Sequence, residues 1–142
     1  MLKHEDWPGL EKISTLRQQE ADGARKISIL CGNGGQFLLE EVLRGADGAM
    51  TGFAYPEMMR DVTTFAHTDP DKARDIFDAY LPLVRYESQP GLGLAIRKYT
   101  LARNGAIAHA TVRKPGGQLN PAGIQEVETL IHRQEARLAA LR

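Results

Sequence analysis

Lys3 is the residue of this sequence best placed to act as a nucleophile. Leu2-Lys3-His4 has the character of the end of a buried strand, and the polar run from Glu5 to Gly9 that follows it predicts a loop. Catalytic side chains of β/α proteins project from the carboxyl ends of parallel strands. An unprotonated lysine amine at such an end can attack a carbonyl carbon. By residue type alone, a lysine so near a chain terminus is more often a solvated surface residue.

A second candidate for ligand contact is the run Gly32-Asn33-Gly34-Gly35, between an apolar segment and a predicted helix. Backbone N–H groups in such a position can hold a phosphate or a carboxylate. The run is not a dinucleotide-binding motif, because Phe37 stands where the third glycine is required, and it contains no P-loop lysine. We interpret it as a tight turn that lines a ligand site, with a phosphate-binding loop as the alternative.

Three consecutive polar residues, His4, Glu5 and Asp6, contain the groups of a catalytic triad or a metal site. Consecutive residues point in different directions, and the sequence has no second cluster at metal-ligand spacing to join them. We therefore predict that these side chains cap the loop and that they bind no metal.

The composition indicates one soluble domain. The 142 residues are enough to bury a sizeable core. Basic and acidic residues number 18 each, so no basic surface predicts nucleic acid binding. No apolar run approaches the ~20 residues that cross a bilayer, and the N-terminus lacks the hydrophobic region of a signal peptide. The single cysteine, Cys31, cannot form an internal disulfide. We expect a cytoplasmic protein with neither a membrane nor a nucleic acid partner.

The first half of the chain alternates short apolar runs with amphipathic segments. Short connections between strands and helices in this order predict a parallel sheet. Pro8 and Gly9 open the first predicted helix. The predicted strands end near His4 and cover residues 26–31 and 48–53; the predicted helices cover residues 9–20 and 36–44 and a segment from Pro56.

The second half of the sequence is helical. Asp69-Pro70 and Asn120-Pro121 each combine a capping residue with a proline at the first helical position. A further helix is predicted over residues 92–103, and Pro82 predicts a kink or an end in the helix that contains it. Two complete strands cannot close a barrel or form an ordinary open sheet, so we expect the chain to be the C-terminal part of something larger.

The ordered combination of these segments resembles the pyruvate-dependent class I aldolases and lyases, the family of dihydrodipicolinate synthase and N-acetylneuraminate lyase. Residues 2–6 resemble the family's sixth strand, with Lys3 at the place of its Schiff-base lysine. Residues 27–34 resemble the seventh strand and its loop, residues 45–51 resemble the eighth strand, and the helices from Pro70 onward resemble the family's C-terminal helices.

The resemblance implies an α/β fold, namely the C-terminal portion of a (β/α)₈ TIM barrel from the end of strand six through helix eight, followed by a three-helix extension. Residues 1–68 would form the partial barrel, and residues 69–142 would form the helical extension of the same structural domain.

The resemblance also implies an activity, that of a carbon–carbon or carbon–oxygen lyase in which Lys3 forms a Schiff base with pyruvate or another 2-oxo acid. A lysine with its reference pKa of about 10.4 becomes nucleophilic when burial lowers that value. The family's substrate site would be lined here by Gly32, Asn33, Gly34, Met50 and Thr51. No metal or organic cofactor is implied, and a homo-oligomer is expected.

Two departures from the family pattern change these expectations. No carboxylate follows Gly32 in residues 33–35, which argues against a polyol substrate. The family's catalytic tyrosine, paired threonines and carboxylate-binding loop belong to earlier strands, which this sequence does not include. We therefore expect the chain to be inactive alone. The alternative is a non-catalytic half-barrel module that acts through self-association or by complementing a second fragment.

Overall fold

The computed structural model describes residues 1–7 and 9–141, in which the elements follow the predicted order. Pro8, predicted at the start of the first helix, lies outside the described residues. The described part contains three strands, six α-helices and one 3₁₀ turn: β1 Leu2–His4, α1 Leu10–Ala21, β2 Ile29–Cys31, the 3₁₀ turn Asn33–Gly35, α2 Leu38–Leu43, β3 Gly48–Ala49, α3 Pro56–Phe65, α4 Pro70–Glu87, α5 Gly93–Arg103 and α6 Pro121–Ala140.

The three strands form one parallel sheet in the order β1-β2-β3, which confirms the predicted arrangement. Lys3 pairs with Leu30, and Leu30 pairs with Gly48, so these three residues share one face of the sheet. His4 and Cys31 lie on the opposite face, which the helices cover, and both are buried. All three strands end at one edge, which we call the carboxyl edge.

Strand β2 is shorter than predicted, because side chains rather than a neighbouring strand satisfy the backbone before it. The N–H of Ile27 donates to Glu20 Oε1 at 2.8 Å, and the carbonyl of Ile27 accepts a hydrogen bond from Arg17 Nη1 at 2.9 Å. Arg17 also donates to the carbonyl of Gly45 and to Asp47 Oδ2, each at 2.8 Å. Helix α1 is thereby fixed to the segments that enter β2 and β3.

Strand β3 was predicted over residues 48–53 but is confined to Gly48–Ala49. The chain leaves the sheet after Met50 and turns into the helical core, where Phe53 and Tyr55 are both buried. The ring of Phe53 meets the ring of Tyr80 edge-on at 6.1 Å between centroids. Apolar residues that suggested a strand thus pack between elements instead.

Helix α4 forms the centre of the helical layer and contacts α3, α5 and α6. Both predicted helix starts are confirmed, since Asp69 Oδ1 accepts the N–H of Lys72 at 3.2 Å and Asn120 Oδ1 accepts that of Gly123 at 2.8 Å. Within the described residues, no helix has both the length and the apolar character that crossing a bilayer requires.

Pro82 does not end helix α4, which continues to Glu87. Proline removes the N–H that would bond the carbonyl four residues earlier, which here belongs to Asp78. Arg137 Nη1 of helix α6 donates to that carbonyl at 3.2 Å. A contact between two helices therefore satisfies the group that the proline leaves unpaired.

Replacing Ile131 by alanine should test the contribution of helix α6 to stability. Ile131 is fully buried in the main hydrophobic core. Removing a buried isoleucine side chain leaves a cavity, so we expect the free energy of unfolding in urea to fall by about 2–5 kcal/mol. Leu141→Ala, at an exposed position that follows the same helix, should change it by no more than about 0.5 kcal/mol. Equal losses in the two variants would contradict this account of the core.

Candidate functional site

Lys3 lies on the open face of the sheet, at the carboxyl edge. Its side chain is 43% exposed, and its Nζ lies 3.1 Å from Oε1 of Glu5. The lysine is therefore accessible from solvent in this structure rather than enclosed. Its immediate partner is a carboxylate supplied by the loop that follows its own strand.

Glu5 connects Lys3 to the glycine-rich loop after β2. The same Oε1 accepts a hydrogen bond from the N–H of Asn33 at 3.4 Å. A Cβ atom on Gly32 would lie 2.3 Å from Cγ of Glu5, so only glycine leaves room for this carboxylate side chain. The hydrogen bond from Lys3, and secondly that from Asn33, lower the pKa of Glu5. Glu5 was predicted to cap a loop, and its hydrogen bond with Asn33 fits that role.

The glycine-rich loop folds as a 3₁₀ turn with left-handed backbone conformations. Gly34 has a φ of 66° and Gly35 a φ of 80°, values that side-chain-bearing residues adopt with strain. A Cβ on Gly35 would lie 3.6 Å from Cγ2 of Thr51, so the loop runs beside the segment that follows β3. Met50 extends the sheet, because its N–H donates to the carbonyl of Cys31 at 2.8 Å. Its side chain is exposed.

The structure thus brings the sequence-predicted site residues to one edge of one sheet. Lys3 comes from β1, the loop residues follow β2, and Met50 and Thr51 follow β3. Lys3 reaches Asn33 through the carboxylate of Glu5. This arrangement places an amine, a carboxylate and backbone groups around an open surface.

Sequence reasoning missed two charged residues that lie at the same edge, Glu87 at the end of α4 and Arg97 in α5. Arg97 Nε donates to Glu87 Oε1 at 2.7 Å. Together with Asn33, Gly34 and Ser88 they line a groove of about 360 Å³. No motif marks this pair in the sequence, and its place beside the loop follows only from the packing of α4 and α5.

Comparison with known proteins relates this fold to a solved enzyme. No protein-family model matches the sequence. The crystal structure of dihydrodipicolinate synthase from Rhodopseudomonas palustris is 53% identical and superimposes with a TM-score of 0.91, over 94% of this chain and 45% of that one. This chain is related to the C-terminal part of dihydrodipicolinate synthases.

Two further comparisons agree with this relationship. The 4-hydroxy-tetrahydrodipicolinate synthase of Methylacidiphilum fumariolicum SolV shares the fold, with a TM-score of 0.75 at 22% identity over 99% of this chain and 46% of that one. The L-2-keto-3-deoxyarabonate dehydratase of Azospirillum brasilense is 32% identical over 85 residues, which are 59% of this chain and 27% of that protein. The chain thus spans less than half the length of each of these relatives. The predicted fold class, the C-terminal part of a TIM barrel, is confirmed.

The helix side of this synthase-like sheet carries a second polar cluster. His4 Nδ1 lies 3.2 Å from Oε2 of Glu41, and both side chains are almost fully buried. Burial raises the pKa of Glu41, and His4 opposes the rise. Burial, and secondly Glu41, raise the pKa of Cys31.

The contact with Glu41 shows that His4 points away from Lys3, as expected for neighbours in a strand. Among the described residues, no three His, Cys, Asp or Glu side chains form a metal-binding group.

The aromatic residues after the strand ends do not surround Lys3. Trp7 is exposed and its ring lies 4.9 Å from that of Phe37, in a cavity of about 470 Å³ that His4 and Glu41 also line. Tyr55 is buried in the helical core. Trp7 therefore remains exposed beside Phe37, whereas Tyr55 packs among the helices.

Replacing Glu41 by glutamine should change how stability depends on pH. Burial raises the pKa of Glu41 above its ordinary value of 4.5, so the folded chain binds this proton more tightly than the unfolded chain does. The proton bound by Glu41 therefore contributes to the stability of the folded chain. This contribution is complete below pH 4.5 and is lost as the pH rises through the raised pKa of Glu41 in the folded chain. In urea unfolding at successive pH values, Glu41→Gln should remove that loss, which has a slope of at most about 1.4 kcal/mol per pH unit.

Glu40→Gln provides the matched control, because Glu40 is the exposed neighbour of Glu41 on the same helix. This variant should keep most of the pH dependence of the unsubstituted chain, because the charge of Glu40 is the smallest of the effects that act on the pKa of Glu41. An identical pH dependence for Glu41→Gln would contradict the assignment of a raised pKa to Glu41.

Proposed function

We propose that Lys3 is the Schiff-base lysine of a lyase or aldolase that acts on pyruvate or another 2-oxo acid. The observation that carries this proposal is the position of Lys3 at the carboxyl edge of a parallel sheet, in a chain related to dihydrodipicolinate synthases. Catalytic groups of TIM barrels project from this end of the strands. The single buried cysteine, Cys31, fits a reducing compartment such as the cytoplasm.

The proposed chemistry starts with the free amine of Lys3. The amine adds to the ketone carbon of the 2-oxo acid, and loss of water gives an iminium ion. The iminium withdraws electrons, so the adjacent methyl group loses a proton and an enamine forms. The enamine carbon then adds to an aldehyde, or in the reverse direction the enamine forms as a carbon–carbon bond breaks.

The other site residues have roles in binding under this proposal. Gly32, Asn33 and Gly34 form the loop beside the substrate, and Glu5 holds the Lys3 amine next to that loop. Met50 offers an apolar contact on the open face, and Thr51 a hydroxyl group next to Gly35. Residues that would bind the pyruvate carboxylate and transfer protons are proposed to come from the barrel strands that precede Lys3 in the family.

A chimeric enzyme tests the role of Lys3. This sequence would replace the matching segment of the Rhodopseudomonas palustris synthase, and the product would be treated with pyruvate and borohydride. We expect reduction to leave a covalent adduct on Lys3, identified by the mass of its peptide. The reason is that borohydride converts a Schiff base into a stable amine.

Two variants of the chimera decide the outcome. Lys3→Ala should abolish the adduct. Lys12→Ala should retain it, because Lys12 belongs to helix α1 and pairs with Asp6 rather than with Glu5. Trapping of the Lys3→Ala chimera at the level of the unsubstituted chimera would reject Lys3 as the nucleophile.

The second candidate function is a non-catalytic module that acts through association with a second copy or with a complementary chain. The specific observation in its favour is the exposure of two apolar side chains next to strands of the sheet. Met1 is 77% exposed and Met50 is 42% exposed. Exposed apolar patches on soluble proteins mark association surfaces.

Sedimentation velocity over a range of concentrations tests this module. We expect the chain to sediment faster than a monomer as its concentration rises, because burying the open face removes apolar side chains from water. Met50→Glu should shift the distribution toward the monomer, and Leu94→Glu should leave it unchanged, since Leu94 is an exposed residue of helix α5. A monomer at every concentration would contradict association with a second copy.

A further inference from the structure

The groove between the loop after β2 and the turn that joins α4 to α5 is polar and lies next to the proposed site. We call it the Arg97 groove, after the residue at its wall. Asn33 and Gly34 line one side, and Glu87, Ser88 and Arg97 line the other. Asn33 is also the residue that Glu5 connects to Lys3. The groove therefore adjoins the loop that Glu5 connects to Lys3.

Arg97 holds its guanidinium group at the carboxyl edge with most of its donors available. Nε donates to Glu87 Oε1 at 2.7 Å, and among residues 1–7 and 9–141 the Nη atoms make no hydrogen bond. A guanidinium has five N–H donors in a planar fork that matches a carboxylate. The side chain is 32% exposed, so these donors remain within reach of a ligand.

Gly52 and Glu87 fix the position of this group. A Cβ atom on Gly52 would lie 2.2 Å from Nη1 of Arg97, so the absence of a side chain there leaves room for the guanidinium beside the backbone after β3. Glu87 is 3% exposed, and its Oε2 has no hydrogen-bond partner among the described residues. A buried carboxylate that holds one edge of a guanidinium restricts the direction in which the other edge can bind.

We propose that Arg97 binds a carboxylate at the far end of the substrate, so that the groove selects a substrate with a second anionic group over a neutral one. This inference rests on the proposed function, because the end of the substrate opposite to Arg97 is the one that Lys3 would bind. The loop residues 33–35 carry no carboxylate of their own. The carboxylates beside them, Glu5 and Glu87, are each paired with a cation. Arg97 is thus a specificity-determining residue supplied by the C-terminal helices.

Glutarate is a suitable probe, because it has two carboxylates and no carbonyl group that Lys3 could attack. The full chain, labelled with ¹⁵N, would be titrated with glutarate, with pentanoate as the monocarboxylate of equal chain length, and with inorganic phosphate. We expect glutarate to shift the Nε–Hε signal of Arg97 and the backbone signals of Asn33 and Gly34. Its Kd should be at least about tenfold lower than that of pentanoate, because one more charge-assisted contact forms.

Substitutions of the two partners should change glutarate binding in opposite directions, which a purely structural ion pair would not do. Arg97→Gln should weaken glutarate binding by at least about tenfold, and Arg97→Lys should restore part of it, because lysine keeps the charge but not the fork. Glu87→Gln should strengthen glutarate binding, because it removes the nearby negative charge. Arg74→Gln is the matched control, on the exposed side of helix α4, and should leave binding unchanged.

A double variant serves as the control for misfolding of Arg97→Gln. Arg97→Gln leaves Glu87 buried without its partner, so the variant Arg97→Gln/Glu87→Gln keeps the pair neutral and should fold with the same loss of glutarate binding. Equal Kd values for glutarate and pentanoate, or unchanged glutarate binding in the double variant, would overturn the inference. Phosphate binding at least as tight as glutarate binding would overturn the assignment to a carboxylate.

This experiment separates the inference from the proposed function. Pyruvate trapping at Lys3 should be retained in the Arg97→Gln chimera, because pyruvate has no second carboxylate. If the unsubstituted chimera is not trapped by pyruvate and borohydride, but glutarate binding depends on Arg97, the Schiff-base function is rejected and the anion site is retained. Normal trapping with no preference for glutarate would reject the anion site alone.

Discussion

Burial of one face of the parallel sheet under the helices is the constraint on which the rest of this structure depends. His4 and Cys31 occupy matched positions on that face, where both are buried. Side chains alternate along a strand, so the residue before each of them, Lys3 and Leu30, must face the other way. The same packing that forms the core therefore presents the lysine on the open face, at the edge where the loops after β2 and β3 meet.

Short strands within this fold require other groups to satisfy their backbone. Arg17 provides several of these hydrogen bonds, since it reaches the carbonyls of Ile27 and Gly45 and the carboxylate of Asp47. Asp47 in turn accepts the N–H of Ile29 at 2.8 Å, and this bond is the main cause of its lowered pKa. One network of side chains thus fixes the start of β2 and the start of β3 relative to each other.

The charged residues at the carboxyl edge form two ion pairs that differ in how far their side chains are buried. The side chains of Lys3 and Glu5 are 43% and 51% exposed, so water and salt screen their attraction. Glu87 is almost fully buried and its partner Arg97 is partly exposed. Burial raises the pKa of Glu87, which Arg97 opposes. A half-buried guanidinium whose carboxylate partner is buried behind it is the feature of this edge best suited to hold an anion, because desolvation strengthens its contacts.

The sequence by itself determined what depends on neighbours along the chain. It predicted the parallel order of the elements, the caps of α4 and α6, and Lys3 at a strand end, because hydrophobic periodicity and capping are local. It did not determine where β3 ends, since the burial of Phe53 depends on Tyr80. Nor could it show that α4 continues past Pro82, or that Arg97 reaches the loop after β2. Only the tertiary structure decided these features, because each depends on groups that distant segments bring into contact.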